Sequence, residues 1–386
     1  MADLPLLFTP IELRSVRLPN RVVIAPMAQY SAIHGMATDW HFANLAKFAL
    51  GGAGLIFFEA AAVTAEGRIT HGDLGIWSDA HAEALRRTVD FIRGQGAVAA
   101  VQLAHSGRKG AMQRPWHGNG PLDETDAARG ERVWPIQAPS PEPLDRGWLM
   151  PHEMTKADIA DLVAAFAAAA RRAAATGFDV VEIHAAHGYL LHSFLSPLSN
   201  HRGDAHGGDL KGRMRILLEV AEATRAAWPA DKPLFVRLSC VDGLPGGMEI
   251  ADAVEIAKAL KPLGVDVIDC SAGGNTPKGA TNQNTARGPG YQVDYAARIR
   301  AEAGIMTEAV GLIVDGAQAE AILQAGQADL VAIAREALHD PNWPLHQAAA
   351  MGLDPDFEMW PVQYGWWLTR RAAGLRKWRE SLSAAD

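Results

Sequence analysis

The chain has 386 residues, 48% of them hydrophobic, and a formal net charge of −8. That is ample apolar material for a large core, and the acidic balance argues against a general nucleic-acid binder. No stretch is apolar for long enough to span a bilayer, and two cysteines, Cys240 and Cys270, are too few for a disulfide framework or a cysteine-held metal cluster.

The opening residues, Met1-Ala2-Asp3-Leu4-Pro5, lack the basic and apolar regions of an export signal, so the cytoplasm is the expected setting. Apolar runs then read as strands near Val22–Ala28, Gly54–Ala61, Val98–Ala104 and Val180–His184. Four more follow near Leu234–Ser239, Val267–Ser271, Met306–Gly311 and Leu330–Ala334. Segments of helical periodicity separate them. Thr155-Lys156-Ala157-Asp158 resembles a capping box with Asp in place of Glu, opening an Ala-rich helix that ends near Gly177. Eight nearly all-apolar strands alternating with helices predict an α/β fold, a parallel (β/α)8 TIM barrel buried on both faces. The competing doubly wound sheet loses its usual support because no GxGxxG follows the first strand. The barrel domain is expected over residues 1–353.

Two segments break the repeat. Residues 110–151, after the third strand, are rich in Pro, Gly and Trp (Trp116, Trp134, Trp148) and read as a lid or binding loop. The tail, residues 354–386, carries Trp360, Trp366, Trp367 and Trp378 and a basic run. It reads as a helix packed on its own barrel, as an arm reaching a neighbouring subunit, or as a membrane-surface helix, the last disfavoured by the acidic chain.

In such a barrel chemistry collects at the C-terminal ends of the strands. Those ends carry Ala25-Pro26-Met27-Ala28-Gln29-Tyr30, Glu59-Ala60-Ala61, Gln102-Leu103-Ala104-His105, Arg237, Gly311 and Ala334-Arg335. Gly311 permits close backbone approach and Arg335 offers a charged fork, a pairing suited to phosphate. Arg237 and Gln102 would be buried polar groups in need of partners. A flavin edge is one such partner; a structural ion pair with a core carboxylate is the alternative for Arg237. The most informative stretch is His184-Ala185-Ala186-His187-Gly188-Tyr189, after the fourth strand. Two imidazoles can donate to one carbonyl oxygen while a phenol protonates the carbon beside it. The same three residues can also simply cap a strand. A metal-dependent barrel hydrolase using His184, His187 and His192 is a further alternative, weakened because the strand ends offer few carboxylates besides Glu59. Lys109 and His105, near the third strand's mouth, stay undecided.

Taken in order, several motifs resemble those of the old yellow enzyme family of FMN-dependent ene-reductases, in the bacterial branch that includes the xenobiotic reductases. They are Asn20-Arg21 with Ala25-Pro26-Met27, Glu66-Gly67-Arg68-Ile69-Thr70, Gly75-Ile76-Trp77-Ser78-Asp79, Gln102 to Lys109, Glu182 to Leu190, Phe194 to Arg202, and Asp329-Leu330-Val331 leading to Arg335. The match runs from about Leu7 to Tyr364. The resemblance implies that His184 and His187 hold an enone carbonyl or the nicotinamide amide and that Tyr189 protonates the α-carbon. It implies that Tyr30 packs beside the substrate, and that Ala25, Pro26, Met27, Ala28, Ala60, Gln102, Arg237, Gly311, Ala334 and Arg335 line FMN. NADPH or NADH would deliver hydride to FMN and leave, and an activated alkene would then take it from the same pocket. Other acceptors such as nitro compounds, and a flavin-binding protein that is not a reductase, are alternatives within the same resemblance. It also implies a homodimer or homotetramer, with Trp366 or Trp367 lining the neighbour's pocket.

One departure matters. This branch usually carries cysteine where this chain has Ala28, and alanine removes a weak hydrogen-bond donor and a polarisable contact. Ala28→Cys is therefore expected to shift the flavin potential with the fold intact. Potentiometric titration reads the shift, and an unchanged potential would remove this expectation.

Overall fold

A computed structural model describes residues 4–276 and 287–383; Met1, Ala2 and Asp3, the start of the segment read for an export signal, and the last three residues of the tail lie outside them. Eight parallel strands close a barrel: β1 (Val22–Ile24), β2 (Leu55–Ala62), β3 (Val98–Ala104), β4 (Val180–Ala185), β5 (Leu234–Ser239), β6 (Val267–Ser271), β7 (Met306–Val310) and β8 (Leu330–Ile333). Each pairs with its sequence neighbours, and β8 returns to β1 with Val331 opposite Val22 and Ile333 opposite Ile24. Every residue of β3, β4, β5 and β6 is buried, as expected of strands covered on both faces. The expected TIM barrel is the fold observed.

Helices α1 (Asp39–Leu50), α2 (Asp79–Gly94), α3 (Lys156–Thr176), α4 (Arg215–Ala227), α5 (Ile250–Leu260), α6 (Val293–Ala303) and α7 (Gly316–Gln324) form the outer ring. The capping box at α3 is formed: Asp158 N–H donates to Thr155 Oγ1 at 3.2 Å, and Thr155 N–H donates to Asp158 Oδ2 at 2.7 Å. Gly177, in left-handed conformation at φ 100°, ends that helix.

Two apolar layers result. The larger lies between strands and helices, and the smaller fills the barrel interior with Val23, Leu55, Phe57, Val98, Ala100, Phe235, Val267 and Leu330. Leu13 and Leu18 join this inner layer from a short hairpin, Ile11–Leu13 against Val16–Leu18, that sequence reading missed. The hairpin fills the N-terminal end of the barrel, opposite the cavity at the C-terminal ends of the strands.

Three further differences have physical causes. β1 stops at Ile24 rather than Ala28: Ala25 N–H still reaches Ile333 O at 3.0 Å, but Pro26 has no N–H to continue the ladder. Residues 110–151 carry a small apolar core of their own, with Ala111, Leu122 and Ile136 packed by Trp134 and Leu149. The tail does not pack on its own barrel as a helix would. In α8 (Val362–Ser383) only Gly365 is buried, while Trp366, Trp367 and Trp378 are exposed. No helix among the described residues is long and apolar enough to cross a membrane.

Candidate active site

One cavity of about 290 Å³ opens at the C-terminal ends of the strands. The ladder explains who meets there. His184 of β4 pairs with Arg237 of β5, and Arg237 with Asp269 of β6, so neighbouring strands aim these side chains inward side by side. Ser271, two residues after Asp269, shares that face and reaches the cavity wall.

His184, His187 and Tyr189 stand together on one wall. The His184 ring centroid lies 5.1 Å from that of His187 and 5.1 Å from that of Tyr189, both edge-on. The chain reaches this arrangement through a strained turn. His187 takes φ 62°, a conformation a branchless residue adopts more easily, and Gly188 follows at φ 75°. Hydrogen bonds hold the strain: His187 N–H donates to Ser239 Oγ at 2.9 Å, and Lys109 Nζ donates to His187 O at 2.9 Å and Gly274 O at 2.8 Å. A Cβ on Gly188 would sit 2.3 Å from Gly274 O, so this position requires glycine.

The imidazoles are neutral. Burial, then Arg237, His192 and Lys109, holds His184 well below the ordinary histidine value. Burial, then Arg237, His184, Lys109 and His192, does the same for His187. Each neutral ring has one N–H to give. His184 Nδ1 accepts Ala186 N–H at 3.2 Å, which places its proton on Nε2, without a partner among the described residues. His187 Nε2 meets Ser271 Oγ at 2.7 Å; when that hydroxyl donates, the ring proton sits on Nδ1. Burial, then Tyr30 and Asp73, holds the Tyr189 phenol well above its usual value, so it is a fully protonated donor.

Opposite ends of the cavity carry different chemistry. At one, Gln102 Nε2 donates to Glu182 Oε1 at 2.8 Å, and Arg237 Nε lies 2.8 Å from Asp269 Oδ2. The ion pair weighed from sequence exists, and Arg237 lines the cavity as well. Burial opposes its charge, but Asp269, Glu182 and Glu308 outweigh it and hold the guanidinium above its ordinary value. At the other end lie Gly311, Ala334 and Arg335, whose exposed guanidinium has no partner among the described residues. Gly311 takes φ 127°, and a Cβ there would come within 3.0 Å of Tyr291 and Gln292.

Pro26, Ala28, Tyr30 and Ala60 complete the wall. Tyr30 meets the segment 110–151 through Trp116, ring centroids 5.9 Å apart. The structure does not bring two expected side chains to the cavity: Ala25 belongs to the interior layer beneath it, and Met27 packs outward against the shell. Trp366 and Trp367 do not line the cavity of their own chain. His105 is buried beside Gly67, its Nδ1 accepting Gly107 N–H at 3.1 Å, and burial brings it down to about 4. His192 turns away from the other two histidines, its Nδ1 accepting Gly188 N–H at 2.8 Å and its Nε2 lying 3.2 Å from Asp242. Among the described residues no group of three or more His, Cys, Asp or Glu is placed to hold a metal. Sequence reading missed Ser271, Tyr291, Gln292 and the buried acids Asp269 and Glu308. The acids stood as lone charges inside apolar strands, Val-Ile-Asp-Cys-Ser and Met-Thr-Glu-Ala-Val, which was their signal.

Comparison with known proteins agrees with this geometry. The NADH:flavin oxidoreductase / NADH oxidase family matches residues 6–353. An NADPH dehydrogenase of Geobacillus sp. (strain WCH70) is 46% identical over 349 residues, 90% of this chain and 95% of that one. Among solved structures, morphinone reductase in complex with tetrahydroNAD superposes with a TM-score of 0.71 at 25% identity, covering 90% of this chain and 91% of its own. An old yellow enzyme homologue from Zymomonas mobilis gives 0.72 at 26% identity, covering 93% and 97%.

The residues present fit FMN, the cofactor of that family. Among the described residues the Gln102 amide oxygen and the outer guanidinium nitrogens of Arg237 have no hydrogen-bond partner at one end, which suits the polar edge of an isoalloxazine. The bare Cα of Gly311 and the unpaired Arg335 suit a phosphate at the other. A ¹⁵N-imidazole NMR spectrum is expected to show His184 as the Nε2–H tautomer, uncharged from about pH 8 down to about pH 6, because its folded value lies below the ordinary one. A ring that gained a proton near the ordinary value would contradict that placement.

Proposed function

Because the chain belongs to the NADH:flavin oxidoreductase / NADH oxidase family, we propose that this FMN-dependent, NADPH-oxidising enzyme reduces the activated C=C bond of α,β-unsaturated carbonyl compounds. One observation carries the reading: two neutral imidazoles and a protonated phenol share one wall of the cavity whose other surfaces suit FMN. When bound, FMN supplies a hydride relay, accepting hydride from NADPH and passing it to the β-carbon of the alkene.

The chain's own residues do the remainder. His184 Nε2–H and His187 Nδ1–H donate to the carbonyl oxygen and stabilise the charge that grows there as hydride arrives. A donor so placed is worth about a hundredfold to a thousandfold in rate. Neutral imidazoles suit this task better than imidazolium ions, which would add a buried charge beside Arg237. Tyr189 gives its phenolic proton to the α-carbon. Its raised pKa keeps that proton in place until a strongly basic carbon develops. Tyr30 lines the pocket with Trp116 edge-on behind it. The same donors suit the carboxamide of NADPH, so both reactants can use one site in turn.

Tyr189→Phe is expected to slow alkene reduction about a hundredfold to ten-thousandfold, the usual worth of a positioned general acid. Flavin reduction by NADPH should stay within about twofold, since that half-reaction needs no proton from Tyr189. Stopped-flow absorbance separates the two, and an equal loss in both would count against the assigned role.

The exposed arm supports a second element of the reading. Trp366 and Trp367 pack edge-on with ring centroids 4.4 Å apart, and Arg370 stacks over Trp366. Among the described residues nothing of its own barrel covers that aromatic surface, and a second copy of the chain in a homodimer or homotetramer would cover it. Truncation after Pro361 is expected to alter both assembly, read by light scattering, and the KM for the alkene. A truncated enzyme unchanged in both would sink this assignment.

A further inference from the structure

Beneath the cavity the barrel holds more charge than the proposed chemistry uses. Arg237, Asp269 and Glu308 are ladder partners on three consecutive strands, β5, β6 and β7. Each lies two residues from a member of the interior layer: Phe235, Val267 and Val310. Side chains two apart share a face, so all three point inward. Glu182 joins them from β4, two residues after interior Val180 and two before His184. Glu182, Asp269 and Glu308 are wholly buried.

Three carboxyls therefore face one guanidinium, with the apolar hairpin stopper below and the cavity above. Gln102 and His184 are the other polar groups turned toward them, and Tyr291 adds its phenol from the loop before α6. The thiols of Cys240 and Cys270 lie on the neighbouring face. Fully ionised, the cluster would hold two uncompensated negative charges in a dry interior. Such a site retains protons instead. Its hydrogen bonding agrees: among the described residues Glu182 Oε2 and both oxygens of Glu308 and of Asp269 accept no hydrogen-bond donor, as ionised oxygens would require. Only Asp269 has the cation at contact distance, 2.8 Å.

We propose that Glu182, Asp269 and Glu308 form a proton-accepting cluster coupled through Arg237 to the flavin, taking up one proton from solvent when the flavin is reduced. The inference rests on the reading that Arg237 meets the polar edge of FMN. Two electrons and one proton arrive at FMN as hydride from NADPH, which leaves as NADP⁺. The hydride leaves one negative charge against the outer nitrogens of Arg237. That charge competes with the carboxylates for the same cation, so one carboxylate, having lost part of its support, binds a proton from water and becomes a carboxylic acid. One negative charge enters and one proton follows.

The sign fixes where this is seen. Burial, then Asp269, pushes Glu182 up to about 8. Below that pH Glu182 already holds its proton and contributes no uptake. Above it, the carboxylate present with oxidised flavin gains a proton on reduction, because the new negative charge raises its value further.

The test uses the FMN-loaded enzyme reduced electrochemically, so it does not depend on any alkene. The midpoint potential is expected to fall by about 30 mV per pH unit near pH 6 and by about 60 mV per pH unit between about pH 8 and about pH 9.5. A tenfold change in proton concentration corresponds to about 30 mV per proton for a two-electron couple. Reduced-minus-oxidised infrared spectra in that upper range should gain a carboxylic C=O band that shifts in D₂O. Glu182→Gln with Glu308→Gln should abolish the band and hold the slope at the one-proton value. The single Glu308→Gln serves if the double variant does not bind FMN, and should weaken both signals. A one-proton slope throughout, with no new band in the wild type, would overturn the proposal. Arg237→Lys separates the two readings. A potential moved by that change, without proton uptake in the wild type, leaves Arg237 at the flavin and removes only the cluster. A potential unmoved by it removes both.

Discussion

A single guanidinium buried in the middle of a barrel organises everything above and below it. Arg237 sits where the apolar interior gives way to the cavity, and its charge is affordable only because carboxyls on adjacent strands face it. Burial first, and then that charge, keeps both histidines neutral at 5.1 Å from one another. Without that cation the imidazoles would lose one of the forces opposing their protonation, and the carboxyls would lose the partner that keeps any of them ionised. The cavity's hydrogen-bonding character follows from this one placement.

Above Arg237, the loops after β4 and β6 are tied together rather than left to pack independently. Lys109 reaches the carbonyls of His187 and Gly274, and Gly188 passes so close to Gly274 that no side chain fits. Ser239 holds the His187 N–H and donates to Gly273 O at 2.7 Å. Burial, then Arg108, brings Lys109 down to about 7, so this clamp is partly charged near neutrality. Its two hydrogen bonds to carbonyls persist in either form, since an amine and an ammonium both donate.

The barrel was legible in the sequence because buried parallel strands are almost wholly apolar, and runs such as Val98–Ala104 have no other common explanation. Boundaries were least secure where chemistry begins: β1 was read through to Ala28 although Pro26 ends its ladder. The hairpin escaped because its strands are three residues each and half exposed, with Glu12 and Arg17 facing water. The cavity residues that were named from strand ends largely meet in one place, since a closed barrel brings all eight ends to one rim. Asp269 and Glu308 were not named because an inward charge one layer below the rim looks, in one dimension, like an interruption of a strand. Tyr291 and Gln292 come from a loop, whose spatial position no periodicity encodes. The tail left several readings open in the sequence because its tryptophans fit a packed helix and an arm equally well; in the fold Trp360 packs on His346 and Phe357, while Trp366, Trp367 and Trp378 stay exposed.

The hairpin stopper has a consequence for molecular traffic. With Leu13 and Leu18 filling the far end, the cavity opens among the described residues at the C-terminal ends of the strands, where Tyr30 stands edge-on to Trp116. Molecules that use it must queue: an incoming one waits for the previous one to leave, and none can be pushed out from behind. Exchange at that mouth, rather than passage through the barrel, is then the step that separates one reactant from the next.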